Sequence, residues 1–363
     1  MTLSYFTVRK PHEIRLWLLI CAAMVFVMVI LGGATRLTGS GLSMVEWQPL
    51  TILPPISDLD WQSEFENYQK YPEFQKVNFW MSVDDFKSIF WLEYIHRIWG
   101  RLIGIVFAVP FFYLLVTRQV QGNLAFALAG LLVLGGGQGL LGWFMVASGL
   151  IDRPDVSHYR LAAHLILAFV VYGLLIWVAL GISGANDQLK KRPHHHAAIA
   201  RLALGVTLTT LLVVMSGALV AGLNAGLIYN TFPLIDGQII PDGLYDMSPW
   251  YQNWFENIMT VQFNHRILGI ILAGLVAFTW WRIKLTKPSY QMSLISNFFL
   301  AAGFIQVGLG ISTLLFIVPF SLALAHQTGA LILFTLSVII ARMMHPALIP
   351  SPAEPPARDL NTN

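Results

Sequence analysis

Glu93-Tyr94-Ile95-His96-Arg97-Ile98-Trp99-Gly100-Arg101 opens a long apolar run. A carboxylate, an imidazole and two guanidiniums stand where a membrane span begins. Ionisable groups in a span are costly and usually face a protein interior or a polar cavity with a task. The same arrangement returns at Gln262-Phe263-Asn264-His265-Arg266-Ile267-Leu268-Gly269, again at the head of an apolar run. A His-Arg pair therefore heads two separate spans of one chain.

The surrounding composition agrees. Of 363 residues, 56% are hydrophobic and 11% charged, against about 25% charged in soluble domains. Runs of about 20 apolar residues are long enough to span a bilayer. Eight satisfy this: 15–35, 91–117, 122–147, 160–181, 199–222, 258–281, 292–317 and 320–344. The fold class is an all-α polytopic membrane protein. The first run follows Arg9, Lys10 and Arg15 and lacks a convincing cleavage site, so it reads as a retained helix. The lone cysteine, Cys21, excludes an internal disulfide, a multi-cysteine zinc site and an iron–sulfur cluster held by this chain alone. Nothing suggests nucleic-acid binding.

With the N-terminus cytoplasmic, 13 of the 22 Lys and Arg fall on the inner side, among them Lys190, Lys191, Arg192 and Arg282. By the positive-inside rule both termini are then cytoplasmic. Two long connections, 36–90 and 223–257, lie outside. They are dense in aromatic residues, which suits either an interfacial belt or a cover over a buried ligand. Residues 182–198 form a polar inner linker and 346–363 a Pro-rich, disordered tail. His194-His195-His196 in the linker reads as solvated loop. His158 reads as an outer-loop residue that either assists a site or is exposed, and His12 and His345 as interfacial.

The halves repeat. Gly33-Ala34 matches Gly217-Ala218, Pro49-Leu50 matches Pro233-Leu234, and His96-Arg97 matches His265-Arg266. Gln138 through Gly142 matches Gln306 through Gly310, and Ala163-His164 matches Ala325-His326. The order is preserved while the offset drifts, as loop-length changes in a duplicated unit would produce. Each unit has four helices, so the expected architecture is two pseudo-symmetric four-helix bundles, 15–181 and 199–345, related by an axis along the membrane normal.

His96, His164, His265 and His326 fall on spans two, four, six and eight, each near the outer end. Two inward histidines per unit at one level is what bis-histidine ligation of a heme iron requires. Taken singly, each could be a hydrogen-bonded structural residue. Gly100, Gly104, Gly142, Gly269 and Gly310 could admit a flat macrocycle or simply let helices pack. Arg97, Arg101 and Arg266 suit heme propionates, or snorkel to headgroups. Glu93 has Gln262 as its counterpart. A carboxylate in one half only suggests chemistry there, although an ion pair with Arg97 would also explain it.

These residues resemble the heme A synthase family. The resemblance runs from Arg15 to His345. It rests on Gly32 through Ser43 (GGATRLTGSGLS), on Glu93-Tyr94-Ile95-His96-Arg97, on Asn264-His265-Arg266 and on Ala325-His326-Gln327. One branch of the family carries an outer-loop cysteine pair. This chain lacks it and is similar to the alphaproteobacterial and mitochondrial branch. The resemblance implies oxidation of the C8 methyl of heme O to a formyl group by successive hydroxylations, through a gem-diol. It implies a resident heme b on His265 and His326 in the second half. The substrate heme would lie between His96 and His164, with Glu93 as acid–base or cation-stabilising group. It also implies a cell inner membrane location with the heme sites toward the periplasm. Heme O synthase and an electron-transfer protein are implied partners, with a homo-oligomer as an open option. Two rival functions fit the residues: a di-heme cytochrome b-type electron carrier, and a transporter.

Overall fold

The computed structural model describes residues 6–7, 10–46, 53–150, 156–183 and 197–345. Eight long apolar helices account for most of them. They are α1 (Pro11–Leu37), α3 (Val83–Val116), α4 (Gly122–Gly149), α5 (His158–Gly181), α6 (Ala197–Gly222), α7 (Ile258–Leu285), α8 (Tyr290–Leu315) and α9 (Phe320–Met344). Helix α2 (Asp58–Gln69) is a short helix in the connection between α1 and α3. Strands β1 (Phe6–Thr7) and β2 (Ile182–Ser183) form a two-residue parallel pair at the C-terminal end of α5. The rest of the 182–198 linker, the 346–363 tail, His194 to His196 and the Pro49-Leu50 match lie outside the described residues, apart from the start of α6.

All eight expected spans are present. The largest difference is at α3, which begins at Val83 instead of near residue 91. Its start carries Asp84 and Asp85 and so looks like loop by hydropathy. A capping box holds it in place: the Ser82 hydroxyl accepts from the Asp85 N–H, and the Asp85 carboxylate accepts from Ser82 N–H at 3.0 Å. Such caps satisfy helix-start donors that would otherwise have no partner. The added turns also bury Phe86, Ile89 and Phe90 against Trp61, Phe65 and Tyr68 of α2. The aromatic residues of the first outer loop thus split. Those six side chains form a small core of their own, whereas Phe79 and Trp80 stay exposed.

The packing follows the repeat. In the first half α1 contacts α3, α3 contacts α4, α4 contacts α5, and α5 returns to α1. In the second half α6, α7, α8 and α9 close the same ring. The halves meet through α5 on α6, α9 on α1, and α5 on α9. Exchanging the halves maps this set of contacts onto itself, which is the pattern of a pseudo-two-fold relation. At the central α5–α9 contact, Phe169 meets Phe334 edge-on with ring centroids 5.3 Å apart, an arrangement contributing about 0.5–1.5 kcal/mol beyond area burial. Gly173 permits it, because a Cβ there would run into the Phe334 ring. Tyr172 and Thr335 share a hydrogen bond of 2.7 Å across the same contact. Outward-facing Phe126, Val133 and Leu140 are exposed, as side chains bathed by lipid should be.

Candidate functional site: four histidines and two anchored loops

The even-numbered spans carry the histidines. His164 lies six residues beyond the start of α5, His265 seven beyond that of α7 and His326 six beyond that of α9. His96 is thirteen beyond Val83, because α3 extends further outward. At about 1.5 Å per residue that places it about 20 Å from its helix start. All four histidines are half-buried.

Each ring stands over a glycine of a neighbouring helix. A Cβ on Gly142 would lie 3.1 Å from His164 Cε1, one on Gly217 3.0 Å from His265 Cε1, and one on Gly310 2.8 Å from His326 Cε1. On α1, Gly32 plays this part, 3.5 Å from His96 Nε2. Any side chain at Gly217 or Gly310 would force the imidazole to move. Gly104 and Gly269 are different: a Cβ there meets nothing within 4 Å. Both therefore border open space on their helices. Gly100 packs against the Met28 methyl.

A glutamine steadies α5 and α9 at the ring. Gln138 Nε2 donates to the His164 carbonyl at 3.0 Å, and Gln306 Nε2 donates to the His326 carbonyl at 3.0 Å. Gln306 Nε2 also lies 3.1 Å from His326 Nδ1. The sequence reading noted both glutamines as repeat markers and missed this use. Nδ1 of His164 is buried without a hydrogen-bond partner.

His265 and His326 face each other, with centroids 6.4 Å apart and planes at 86°. A metal–imidazole bond is about 2 Å and a ring centroid lies roughly 1 Å behind its nitrogen, so two imidazoles on opposite sides of one iron have centroids about 6 Å apart. The spacing therefore fits a single iron between the rings. Among the described residues no group of three or more His, Cys, Asp or Glu side chains converges anywhere. A pair of imidazoles with no further protein donor converging on them would suit a porphyrin iron, which brings its own nitrogen ligands.

Glu93 and Arg97 sit one turn apart and are both tied to the loop that follows α1. Glu93 is 2% exposed. Its Oε2 accepts from Ser43 Oγ and from Met44 N–H, both at 2.8 Å. Its Oε1 accepts from Arg97 Nε at 2.9 Å and Nη2 at 2.5 Å. Arg97 also donates to the carbonyls of Glu46 (3.0 Å) and Met44 (2.6 Å). The second half repeats this with opposite polarity. Gln262 Nε2 donates to the carbonyls of Ala225 (2.7 Å) and Ile228 (2.6 Å), while its Oε1 accepts from Arg266 Nη2 at 2.6 Å. Arg266 continues to the carbonyls of Tyr229 and Thr231, both at 2.8 Å. Both guanidiniums are thus largely engaged with loop carbonyls; Arg266 Nε alone remains buried without a partner.

Arg97 and Arg101 line one wall of a cleft of about 330 Å³, with Met44, Glu46, Glu64 and Tyr94 among the other walls. Burial, helped by the Glu46 carboxylate, raises Glu64 above the ordinary carboxylate range. His158 bridges the halves: it stands 3.6 Å from Glu256, whose other oxygen accepts from Tyr159 OH at 2.7 Å. His345 packs edge-on against Trp177, and His12 is exposed.

Fold and site together define a class: a duplicated four-helix membrane protein with a pair of histidines on the last and second helices of each unit and an anchored loop beside each pair. The chain belongs to the COX15-CtaA family of cytochrome oxidase assembly proteins, whose family model matches residues 15–338. It is 47% identical over 333 residues to the heme A synthase of Nitrosomonas eutropha, covering 91% of this chain and 93% of that one. It is 49% identical to the heme A synthase of Paramagnetospirillum magneticum, covering 90% and 92%. Heme A synthase COX15 of Arabidopsis thaliana is 43% identical, covering 94% of this chain and 76% of the plant protein.

Proposed function

We propose that this chain is a heme A synthase, an oxidoreductase that converts the C8 methyl of heme O to a formyl group for terminal oxidases. The observation that carries the reading is the His265–His326 pair, spaced at 6.4 Å for one iron, in a chain whose relatives bear that name. His265 and His326 would hold a resident heme b, which supplies electron transfer when bound. His96 and His164 would hold heme O in the first half. Glycine beneath the rings keeps them from being displaced, Gln138 and Gln306 brace the helix backbone at His164 and His326, and the apolar helices exclude water. The oxidation would take four electrons from the methyl carbon in two hydroxylations, the oxygen and the electron acceptor coming from outside this chain, and the resulting gem-diol would lose water to give the aldehyde.

Glu93 is the acid–base or cation-stabilising candidate beside His96. Its carboxylate can act on a substrate carbon only by giving up a bond to Ser43, Met44 or Arg97. Arg266 would stand near a propionate of the second-half heme through its charge, its Nη donors being committed to Gln262 and the loop carbonyls. The setting is the cell inner membrane, with both termini cytoplasmic and both histidine pairs toward the periplasm. Heme O synthase and an electron-transfer protein are the partners this role requires.

The rival is a di-heme electron carrier. It gains support from the loop polarity, which accounts for Glu93 against Gln262 without any chemistry. Expression with a heme O source, followed by extraction and chromatography of the hemes, separates the two. Heme A in the extract is expected; heme b with unaltered heme O alone would refute the synthase reading. Replacing His265 or His326 with Ala should remove the resident heme, and an intact bis-imidazole spectrum in either variant would refute its placement.

A further inference from the structure

Two helix crossings join the halves in equivalent ways. Helix α9 packs on α1 beside the first histidine pair, and α5 packs on α6 beside the second. At the second crossing the residue after the ligand candidate is Leu165, which packs in an apolar cluster with Ala218 and Leu219. At the first crossing the corresponding residue is Gln327. Its Nε2 donates to the Val29 carbonyl of α1 at 2.6 Å. Its carboxamide fills the space over Gly33, where a Cβ would lie 2.6–2.8 Å from the carboxamide atoms. Gly33 is buried, and its neighbour Gly32 faces His96 Nε2.

We infer that Gln327, a residue of the second half, is a positioning residue of the first-half site: it fixes the α1 backbone that backs His96. The inference rests on the proposed placement of substrate in the first half. A carboxamide in apolar surroundings must keep its hydrogen bonds or carry a desolvation penalty, so it holds α1 in one register where a leucine would let it slide. Because Gln327 directly follows His326 on α9, the same side chain ties the two histidine pairs together. It therefore acts on heme O binding without touching heme O.

The test uses the purified full chain with its resident heme and heme O as substrate. Gln327→Met keeps the volume and removes the hydrogen bond. KM for heme O should rise roughly fivefold, the size expected for one lost hydrogen bond, while kcat and the resident heme per chain stay within about twofold. Gly33→Ala should act in the same direction, since its methyl displaces the carboxamide from Val29, and it keeps the question answerable if the Met variant does not fold. Gly33→Ala with Gln327→Ala restores the packing but not the bond, and KM should stay raised. An unchanged KM in Gln327→Met, a loss of resident heme in step with the KM change, or a wild-type KM in the double variant would each overturn the positioning role. A wild-type protein that makes no heme A would instead overturn the functional reading on which the role rests.

Discussion

Replacing Glu93 with glutamine keeps the shape of the side chain and breaks its bonding. The carboxylate accepts four hydrogen bonds, two from the loop at 2.8 Å and two from Arg97 at 2.9 and 2.5 Å. A carboxamide offers one acceptor oxygen, so its NH₂ must face either the Met44 N–H or the guanidinium. Turned toward the loop it meets a donor with a donor, although the Ser43 hydroxyl can rotate to accept. Turned toward Arg97 it leaves a guanidinium that is 11% exposed without its counter-charge. Each hydrogen bond to a charged group contributes about 1.5–3 kcal/mol, and breaking a buried ion pair costs about 3–5 kcal/mol. Two lost bonds, partly offset by the new donor, give about 3 kcal/mol of local destabilisation. At 1.4 kcal/mol per tenfold the loop from Ser40 to Glu46 should open more often by about two orders of magnitude. Hydrogen exchange read by mass spectrometry on peptides covering Ser40–Glu46 measures this directly, with α7 peptides as an internal reference. Exchange at Ser40–Glu46 that stays within threefold of the wild type would mean that the four bonds do not hold the loop, and the anchoring role of Glu93 would be lost.

Two further outcomes follow from local geometry. Gly310→Ala should lower resident heme content severalfold, because the new Cβ would lie 2.8 Å from His326 Cε1, whereas Gly269→Ala, with nothing within 4 Å, should keep it within about twofold; equal heme loss in both variants, read from absorbance per chain, would remove the ring-over-glycine explanation. Asp60 is held below its usual value of 3.8, chiefly by the Ser57 backbone N–H, then by the Ser57 side chain and the Ile56 N–H. A depressed carboxylate contributes stability above its unfolded value and loses it as pH falls through the lower folded value. The start of α2 should therefore stay protected at pH 5 and fray only below 3.8, and fraying near pH 5 in exchange at Asp58–Trp61 would contradict the cap.

The eight spans could be read from sequence because uninterrupted apolar runs of this length have few other uses. The repeat could be read because His-Arg, the Gln-to-Gly stretch and Ala-His recur in order. What stayed hidden shares one cause: the partners are backbone atoms or empty space. Gly104 and Gly310 look alike in sequence, yet one borders open space and the other carries an imidazole. Arg97 and Arg266 suggest anions, and in the structure most of their donors reach loop carbonyls, which leave no mark on composition. The early start of α3 was masked by the aspartates that cap it. Gln138 and Gln306 were visible as matching letters, but only the folded chain brings their carboxamides to the His164 and His326 carbonyls.

Half-specific residues deserve weighing by whether their surroundings already require them. The loop after α1 turns two donors toward its anchor, the Ser43 hydroxyl and the Met44 N–H, and an acceptor must meet them. The loop after α6 turns two carbonyls, of Ala225 and Ile228, toward the equivalent place, and a donor must meet those. Glutamate in one half and glutamine in the other satisfy opposite demands with side chains of one shape, each braced by an arginine four residues on. Gln262→Glu should accordingly fail to create a second Glu93-like anchor, since its carboxylate would face two carbonyl oxygens. The difference between Gln327 and Leu165 has no such origin. Both lie at the same kind of helix crossing, and in one half an apolar residue packs there adequately. A half-buried carboxamide that must keep its hydrogen bond at the other crossing adds nothing that packing needed, so its use lies in what it holds: the α1 backbone behind His96.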